Sequence, residues 1–166
     1  NNSTISSGTI ANSLWSFGDS FSSSSLNPSH SYSGAGSYSV TLTVTSAAGC
    51  TSTTNQNVVI NPLPTADFST TTVCLGSSNQ FTDNSTVSSG FISEWIWNFG
   101  DGTTGTSAST SHAYSTAGNY TATLIAVTNN NCSDTISHQV VVNGLPVSAF
   151  TAGNGCVESL INFTNT

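Results

Sequence analysis

Along residues 38–45 apolar and hydroxyl side chains alternate without a break. Tyr38, Val40, Leu42 and Val44 fall on one side, and Ser39, Thr41, Thr43 and Thr45 on the other. A period of two gives a strand one buried and one wet face, as in an antiparallel sheet. The same pattern predicts strands near 65–70, 77–84, 94–100, 108–114, 119–127 and 134–143, separated by clusters of Gly, Asn and Ser. No stretch carries the 3.6-residue period of an amphipathic helix. Six or seven short strands in roughly 80 residues are the mark of a β-sandwich. Its expected core is Phe68, Phe81, Trp97, Phe99, Tyr114, Tyr120, Leu124, Val140 and Val142.

The pattern also repeats. Shifted by 82 residues, the chain aligns with itself end to end without a gap. Trp15-Ser16-Phe17-Gly18-Asp19 falls on Trp97-Asn98-Phe99-Gly100-Asp101, Ser29-His30 on Ser111-His112, and Tyr38 on Tyr120. Cys50 meets Cys132, Leu63-Pro64 meets Leu145-Pro146, Phe68 meets Phe150, Cys74 meets Cys156, and Phe81-Thr82 meets Phe163-Thr164. A gapless match of this length indicates tandem duplication, with the Leu-Pro pairs as linkers. The predicted organisation is therefore a repeat at 1–62 lacking its first two strands, a complete repeat at 63–144, and the first two strands of a third at 145–166.

Composition narrows the function. The 166 residues hold seven acids and no Lys or Arg, for a formal charge of −7. Without basic residues there is no patch to neutralise phosphates, so nucleic acid and anionic membranes are excluded as partners. Phosphate-loop, Schiff-base and guanidinium-clamp chemistry lack their residues too, as do isopeptide crosslinks that start from Lys. Apolar runs such as Val140–Val142 are far short of the ~20 residues that span a bilayer, so no membrane insertion is expected. A hydrophobic fraction of 36%, with eight Phe, four Tyr and three Trp, argues for a folded all-β chain with a Ser/Thr/Asn surface. No leader precedes the pattern at Asn1, so the chain reads as a mature piece or a segment of a longer one.

The repeated motifs resemble the PKD (polycystic kidney disease) domain, an immunoglobulin-like β-sandwich. The resemblance rests on Trp97-Asn98-Phe99-Gly100-Asp101-Gly102, His112-Ala113-Tyr114 and Gly118-Asn119-Tyr120, and on their equivalents Trp15–Asp19, His30-Ser31-Tyr32 and Gly36-Ser37-Tyr38. It covers the whole chain and implies an all-β fold of tandem immunoglobulin-like sandwiches with an 82-residue repeat. The first copy departs at Ser20, where the family has Gly, so that turn is expected to differ slightly. The Cys-containing variety is similar to tandem repeats in large surface proteins of gliding, Bacteroidetes-type bacteria.

Several residues invite a chemical reading. Gly18-Asp19 and Gly100-Asp101 suggest a calcium ligand or catalytic carboxylate, but calcium wants several clustered oxygens and seven scattered acids supply no cluster. A structural turn, with Asp bonding its own backbone, is the expectation. His30 and His112 recur in register and suggest a structural hydrogen bond. His138 has no counterpart, since Gln56 stands in its place. Ser, His and Asp occur without a nucleophile elbow or paired carboxylates, so no enzyme activity, metal or cofactor is expected. Trp95, replaced by Ser13 in the first copy, is a candidate exposed aromatic for a ligand.

Cys50, Cys74, Cys132 and Cys156 form two equivalent pairs with no C-x-x-C, which disfavours zinc and favours disulfides in an oxidising compartment. The family topology places the hairpin carrying Cys50 or Cys132 and the loop carrying Cys74 or Cys156 at opposite poles of a domain. That implies a bridge from one repeat's first loop to the next repeat's last hairpin, with Cys74 and Cys132 seeking partners outside this segment. The rival is a bridge within the repeat, Cys74–Cys132. Asp134-Thr135-Ile136 is similar to a bacterial O-glycosylation signal, making Thr135 a candidate, and Asn2, Asn84, Asn119 and Asn162 open N-linked sequons.

The resemblance implies a non-catalytic structural or adhesive repeat of a large extracellular surface protein or filament. Such a module acts as a semi-rigid stalk and a weak binder of glycans or surfaces. The alternative is an accessory spacer or binding module of a secreted polysaccharidase or protease. The expected partners are neighbouring repeats of the same chain or head-to-tail copies in a fibre. Residues 147–166 of one copy would then supply the strands that 1–62 lack, either as one continuing chain or by strand addition between subunits.

Overall fold

The computed structural model describes residues 1–165, and the regular elements in them are all β-strands. Those residues form two compact units. One holds Asn1–Thr65 with Thr86–Ser93 and Val127–Asp134, and the other holds Ala66–Ser85, Glu94–Ala126 and the chain from Thr135 onward.

The first repeat is a single sheet. Its strands are β1 (Ile10–Ser16), β2 (Ser22–Ser23), β3 (Gly36–Ser46) and β4 (Thr51–Ile60), in the order β2-β1-β3-β4. β3 and β4 pair from Gly36↔Ile60 to Thr45↔Thr51, and the hairpin turns through Ala47, Ala48 and Gly49. Phe17 and Leu42 are its buried apolar residues, while Trp15, Val40, Val44 and Val58 are half-buried.

The second repeat is a two-layer sandwich. Its strands are β5 (Phe68–Thr70), β6 (Val73–Cys74), β7 (Asn79–Asp83), β8 (Ile92–Asn98), β9 (Thr104–Gly105), β10 (Ser109–His112), β11 (Gly118–Thr128) and β12 (Ser133–Asn143). One layer runs β10-β7-β5 and the other β6-β12-β11-β8-β9. Short β6 lies parallel to the end of β12, with Val142 opposite Val73 and Asn143 opposite Cys74. The core contains Phe68, Phe81, Trp97, Phe99, Tyr114, Ala122, Leu124, Val140 and Val142. Phe68 and Phe81 from the small layer meet Trp97 edge-on at ring separations of 5.1 and 5.7 Å. Edge-to-face packing of this kind adds about 0.5–1.5 kcal/mol per pair beyond the area buried.

Tyr120 departs from the expected core. It is half-buried, stacks on Tyr114 at 3.9 Å and turns its hydroxyl to the Thr116 carbonyl. A phenol needs a partner for its O–H, so it stops at the rim. Ala122, too small to stand out in a hydropathy pattern, is fully buried instead.

Beyond the sandwich, β13 (Phe150–Ala152) and β14 (Phe163–Asn165) form an antiparallel pair of their own.

Candidate functional site

The residues that the repeat singles out converge on one turn and the segment beside it, which is a strand in the second repeat only, and the assembly is built twice. In the second repeat Gly100 and Gly102, with φ of 86° and 92°, fold the chain back so that the Phe99 amide donates to the Thr103 carbonyl at 3.1 Å. Asp101 Oδ1 accepts from the Thr103 amide at 3.0 Å and from its hydroxyl at 2.6 Å. Its other oxygen, Oδ2, lies 2.7 Å from His112 Nε2. The His112 ring is sandwiched, parallel to Phe99 at 4.3 Å and edge-on to Tyr114 at 4.6 Å. The buried Tyr114 hydroxyl donates to the Phe99 carbonyl at 2.8 Å, and Trp97 Nε1 donates to the Ser107 carbonyl at 2.8 Å.

The first repeat reproduces this arrangement. His30 Nε2 lies 2.6 Å from Asp19 Oδ2, stacks on Phe17 at 4.1 Å and meets Tyr32 edge-on at 4.7 Å. The Tyr32 hydroxyl donates to the Phe17 carbonyl at 3.0 Å. Ser20 takes Gly102's place yet keeps the left-handed conformation, with φ of 76°. The turn is thus retained rather than altered; a non-glycine residue there costs about 1–2 kcal/mol of backbone strain. Phe21 stands where Thr103 does and lies 5.7 Å from the His30 ring.

The electrostatics follow from the contacts. Burial pushes the Asp101 carboxyl upward, but the Thr103 hydroxyl, His112 and the Thr103 amide outweigh it and bring it down to about 2. Burial, the Asp101 charge and Tyr120 push the Tyr114 hydroxyl up to about 12. In the first repeat burial raises Asp19, but His30 and the Phe21 amide more than offset it and the net shift is downward. Tyr32 is raised by burial, by Asp19 and by Tyr38.

This geometry locks a turn to a strand. A nucleophilic relay needs the carboxylate on one imidazole nitrogen and the hydroxyl on the other. Here Asp101 and Thr103 both face Nε2 of His112, the hydroxyl at 3.3 Å, so the ring is held and not poised. Among the described residues, no cluster of three or more His, Cys, Asp or Glu is placed to hold a metal ion.

The other singled-out residues lie apart from the turn. Trp95 is packed against the core, and its Nε1 donates to Asp83 Oδ2 at 2.6 Å, so it is a structural side chain rather than an exposed platform. Where Ser13 replaces it, the first repeat has a cleft of about 650 Å³ lined by Asn1, Ile10, Ser13, Leu14 and Leu26 among others. His138 stacks on Phe68 at 4.5 Å. Thr135 is exposed on β12. All four cysteines are free. Cys74 pairs with Asn143 at one end of β12 and Cys132 precedes its other end. Eleven strand residues at about 3.3 Å each separate them, far beyond the ~7 Å reach of a disulfide, so they are not paired in this structure.

Sequence reasoning missed three side chains. Thr103 completes the Asp101 turn, and Asp83 anchors Trp95. Fully buried Asn79 donates to the Thr71 carbonyl, holding the bend after β5.

The same aromatic and His–Asp lock, built once beside a single sheet and once within a two-layer sandwich, defines a class of all-β repeat module. The sequence pattern of the PKD domain matches residues 1–60 and again 61–143, and the chain belongs to that family. Over 72 residues, 43% of its length, the chain is 45% identical to a microbial collagenase of Vibrio alginolyticus, of which it covers 9%. Among solved structures, the PKD1 domain of Vibrio anguillarum Epp is 26% identical with a TM-score of 0.49, over 52% of this chain and 100% of that one. The PKD1 domain of the Vibrio cholerae metalloprotease PrtV is 32% identical with a TM-score of 0.45, over 51% of this chain and 99% of that one.

Proposed function

We propose that the chain is a non-catalytic repeat module of an extracellular protein, with repeats bounded at 62/63 and 144/145, and that it serves as a semi-rigid stalk. The observation that carries this reading is the lock itself. The same His, Asp, Phe and Tyr groups are spent in both repeats on holding a turn to the segment that carries the histidine, at identical spacing and with a Leu-Pro linker. Short proline-bearing linkers limit how far successive domains swing. A surface of hydroxyls and amides, carrying −7 and no basic residue, favours hydration, solubility and repulsion between neighbouring rods. It suits weak contact with glycans or polar solids. Scattering from concatemers of residues 63–144 tests the stalk: the maximum dimension should grow linearly from two to six repeats. Collapse to a compact particle would overturn it.

A second reading, an accessory module of a secreted protease, is favoured by the 45% identity with part of a microbial collagenase. On that reading the chain itself should be retained on insoluble collagen, whereas the stalk reading expects it to wash off.

A further inference from the structure

The two linkers differ at one residue, and the difference is chemical. Asn61-Pro62-Leu63-Pro64 aligns with Asn143-Gly144-Leu145-Pro146. Asparagine is a labile residue because the main-chain nitrogen that follows it can attack its side-chain carbonyl carbon and close a succinimide ring. Pro62 has no amide N–H to lose, so Asn61 is barred from this route. Gly144 has the N–H and no side chain to crowd the approach.

The fold leaves this pair free to react. Asn143 is the last residue of β12, Gly144 lies outside any strand, and both are exposed. Apart from its chain neighbours, a Cβ built on Gly144 would meet nothing nearer than the Ala117 Cβ at 3.9 Å. Val142, one residue earlier, is held in the core at 3% exposure. The Asn143 carbonyl accepts from the Leu75 amide at 2.8 Å, just past the two-residue edge strand β6. Ring closure turns the Asn143 peptide out of its extended conformation and so releases that bond. An edge strand of two residues gives way more readily than the ladder behind it.

We propose that Asn143-Gly144 is a self-modifying site, at which Asn143 passes through a succinimide to aspartate and isoaspartate in the folded chain, while the equivalent Asn61-Pro62 stays intact. The Gly144 nitrogen gives up its proton and bonds to the side-chain carbonyl carbon of Asn143. The bond from that carbon to the side-chain nitrogen breaks, and ammonia leaves with the proton. Water then opens the ring at one of its two carbonyls. The net change is one water taken up and one ammonia released, with no oxidant, reductant or metal. Opening at the side-chain carbonyl gives aspartate on an unaltered main chain. Opening at the main-chain carbonyl gives isoaspartate, whose backbone runs through the former side chain and is one methylene longer. That second route frees a carboxylate where the Asn143 carbonyl stood, and the Leu75 N–H can bond to it again with charge assistance. Either product adds one negative charge to a chain that carries −7. The joint after β12 therefore changes in charge and length with age, and the joint after β4 does not.

Ageing the purified chain in warm neutral buffer tests the site. Each event should raise the mass by about 1 Da. Chymotryptic peptides, which part Asn143 from the other Asn-Gly pair, Asn154-Gly155, at Phe150, should carry the change at Asn143 and leave Asn61 unmodified. Enzymatic methylation specific for isoaspartate should label the same peptide. Because the step releases a single main-chain hydrogen bond, the folded chain should react within about tenfold of the rate in urea, a factor that corresponds to about 1.4 kcal/mol. Gly144→Pro, the residue the first linker already carries, should abolish the product and leave the circular dichroism unchanged. Pro62→Gly should create the product at Asn61. An Asn143 that stays intact in the folded chain while it is converted in urea overturns the proposal, and so does a change at Asn143 that survives Gly144→Pro.

Discussion

At Gly100 a Cβ would come within 2.5 Å of the Thr121 carbonyl oxygen, on a backbone held at φ of 86°. Both penalties, steric and conformational, fall on the turn that carries Asp101. Gly100→Ala should therefore destabilise the second repeat by about 2–3 kcal/mol. Gly102→Ala, at φ of 92° with open space around its Cβ, meets the conformational penalty alone and should cost about 1 kcal/mol. Urea unfolding followed by Trp fluorescence ranks the two, and equal losses would show that the Thr121 contact relaxes freely. The carboxylate beside them makes the turn sensitive to acid. Asp101 is held at about 2, below its ordinary 3.8, so its stabilising contribution is fully present above pH ~4 and is lost as pH falls through 2. Asp19 is lowered too and adds in the same direction. The unfolding midpoint should hold steady from pH 7 to 5 and drop between pH 4 and 2. Asp101→Asn should flatten that drop, and an unchanged slope would assign it to other carboxylates.

How legible each element was in the sequence depends on whether its own residues or its neighbours decide it. The long hairpin strands β3 and β11 could be read directly, because each has one face in water and the alternation from Tyr38 to Thr45 records that contrast. Two-residue β6 and β9 could not, since they exist only as edges against β12 and β8. Residues 27–30 and 109–112 are equivalent in the repeat, yet only the latter form a strand, where β7 lies alongside and Thr110 stands in the place of Pro28. Strand formation here follows the partner more than the propensity. The candidate site divides in the same way. The recurrence of Asp101 and His112 is visible at fixed spacing, and so are the aromatics around them. That Asp101 faces His112, across the turn and a second strand, is set by the pairing of β8 with β9 and by the path into β10. Spacing alone does not encode such a meeting. Trp95 misleads for a related reason. A large aromatic with no counterpart in the other repeat looks like a ligand platform until Asp83 is seen to take its N–H.

Among the described residues the same strand sequence is covered by a second layer in one repeat and not in the other, and the difference can be measured. Leu124 on β11 is fully buried under Phe68 and Phe81, whereas its equivalent Leu42 on β3 lies on the sheet that has no second layer among the described residues. Burying one Phe side chain is worth about 1.5–3 kcal/mol, so the two rings together account for roughly 3–6 kcal/mol of local stability. Amide exchange reports such differences position by position, since core strands open only with their unit. In these 166 residues, amides of β11 should exchange at least ~100-fold more slowly than their equivalents in β3, a factor that corresponds to about 2.8 kcal/mol. The comparison is internally controlled, because Thr41 and Leu42 repeat as Thr123 and Leu124 and so share much of their intrinsic exchange chemistry. Matched rates in the two strands would mean that the covering layer adds no local protection, and the second sheet would then have to be regarded as packing without stabilising. Slow exchange confined to β11 would instead show that the same strand sequence becomes a firm core only once two phenylalanines close over it.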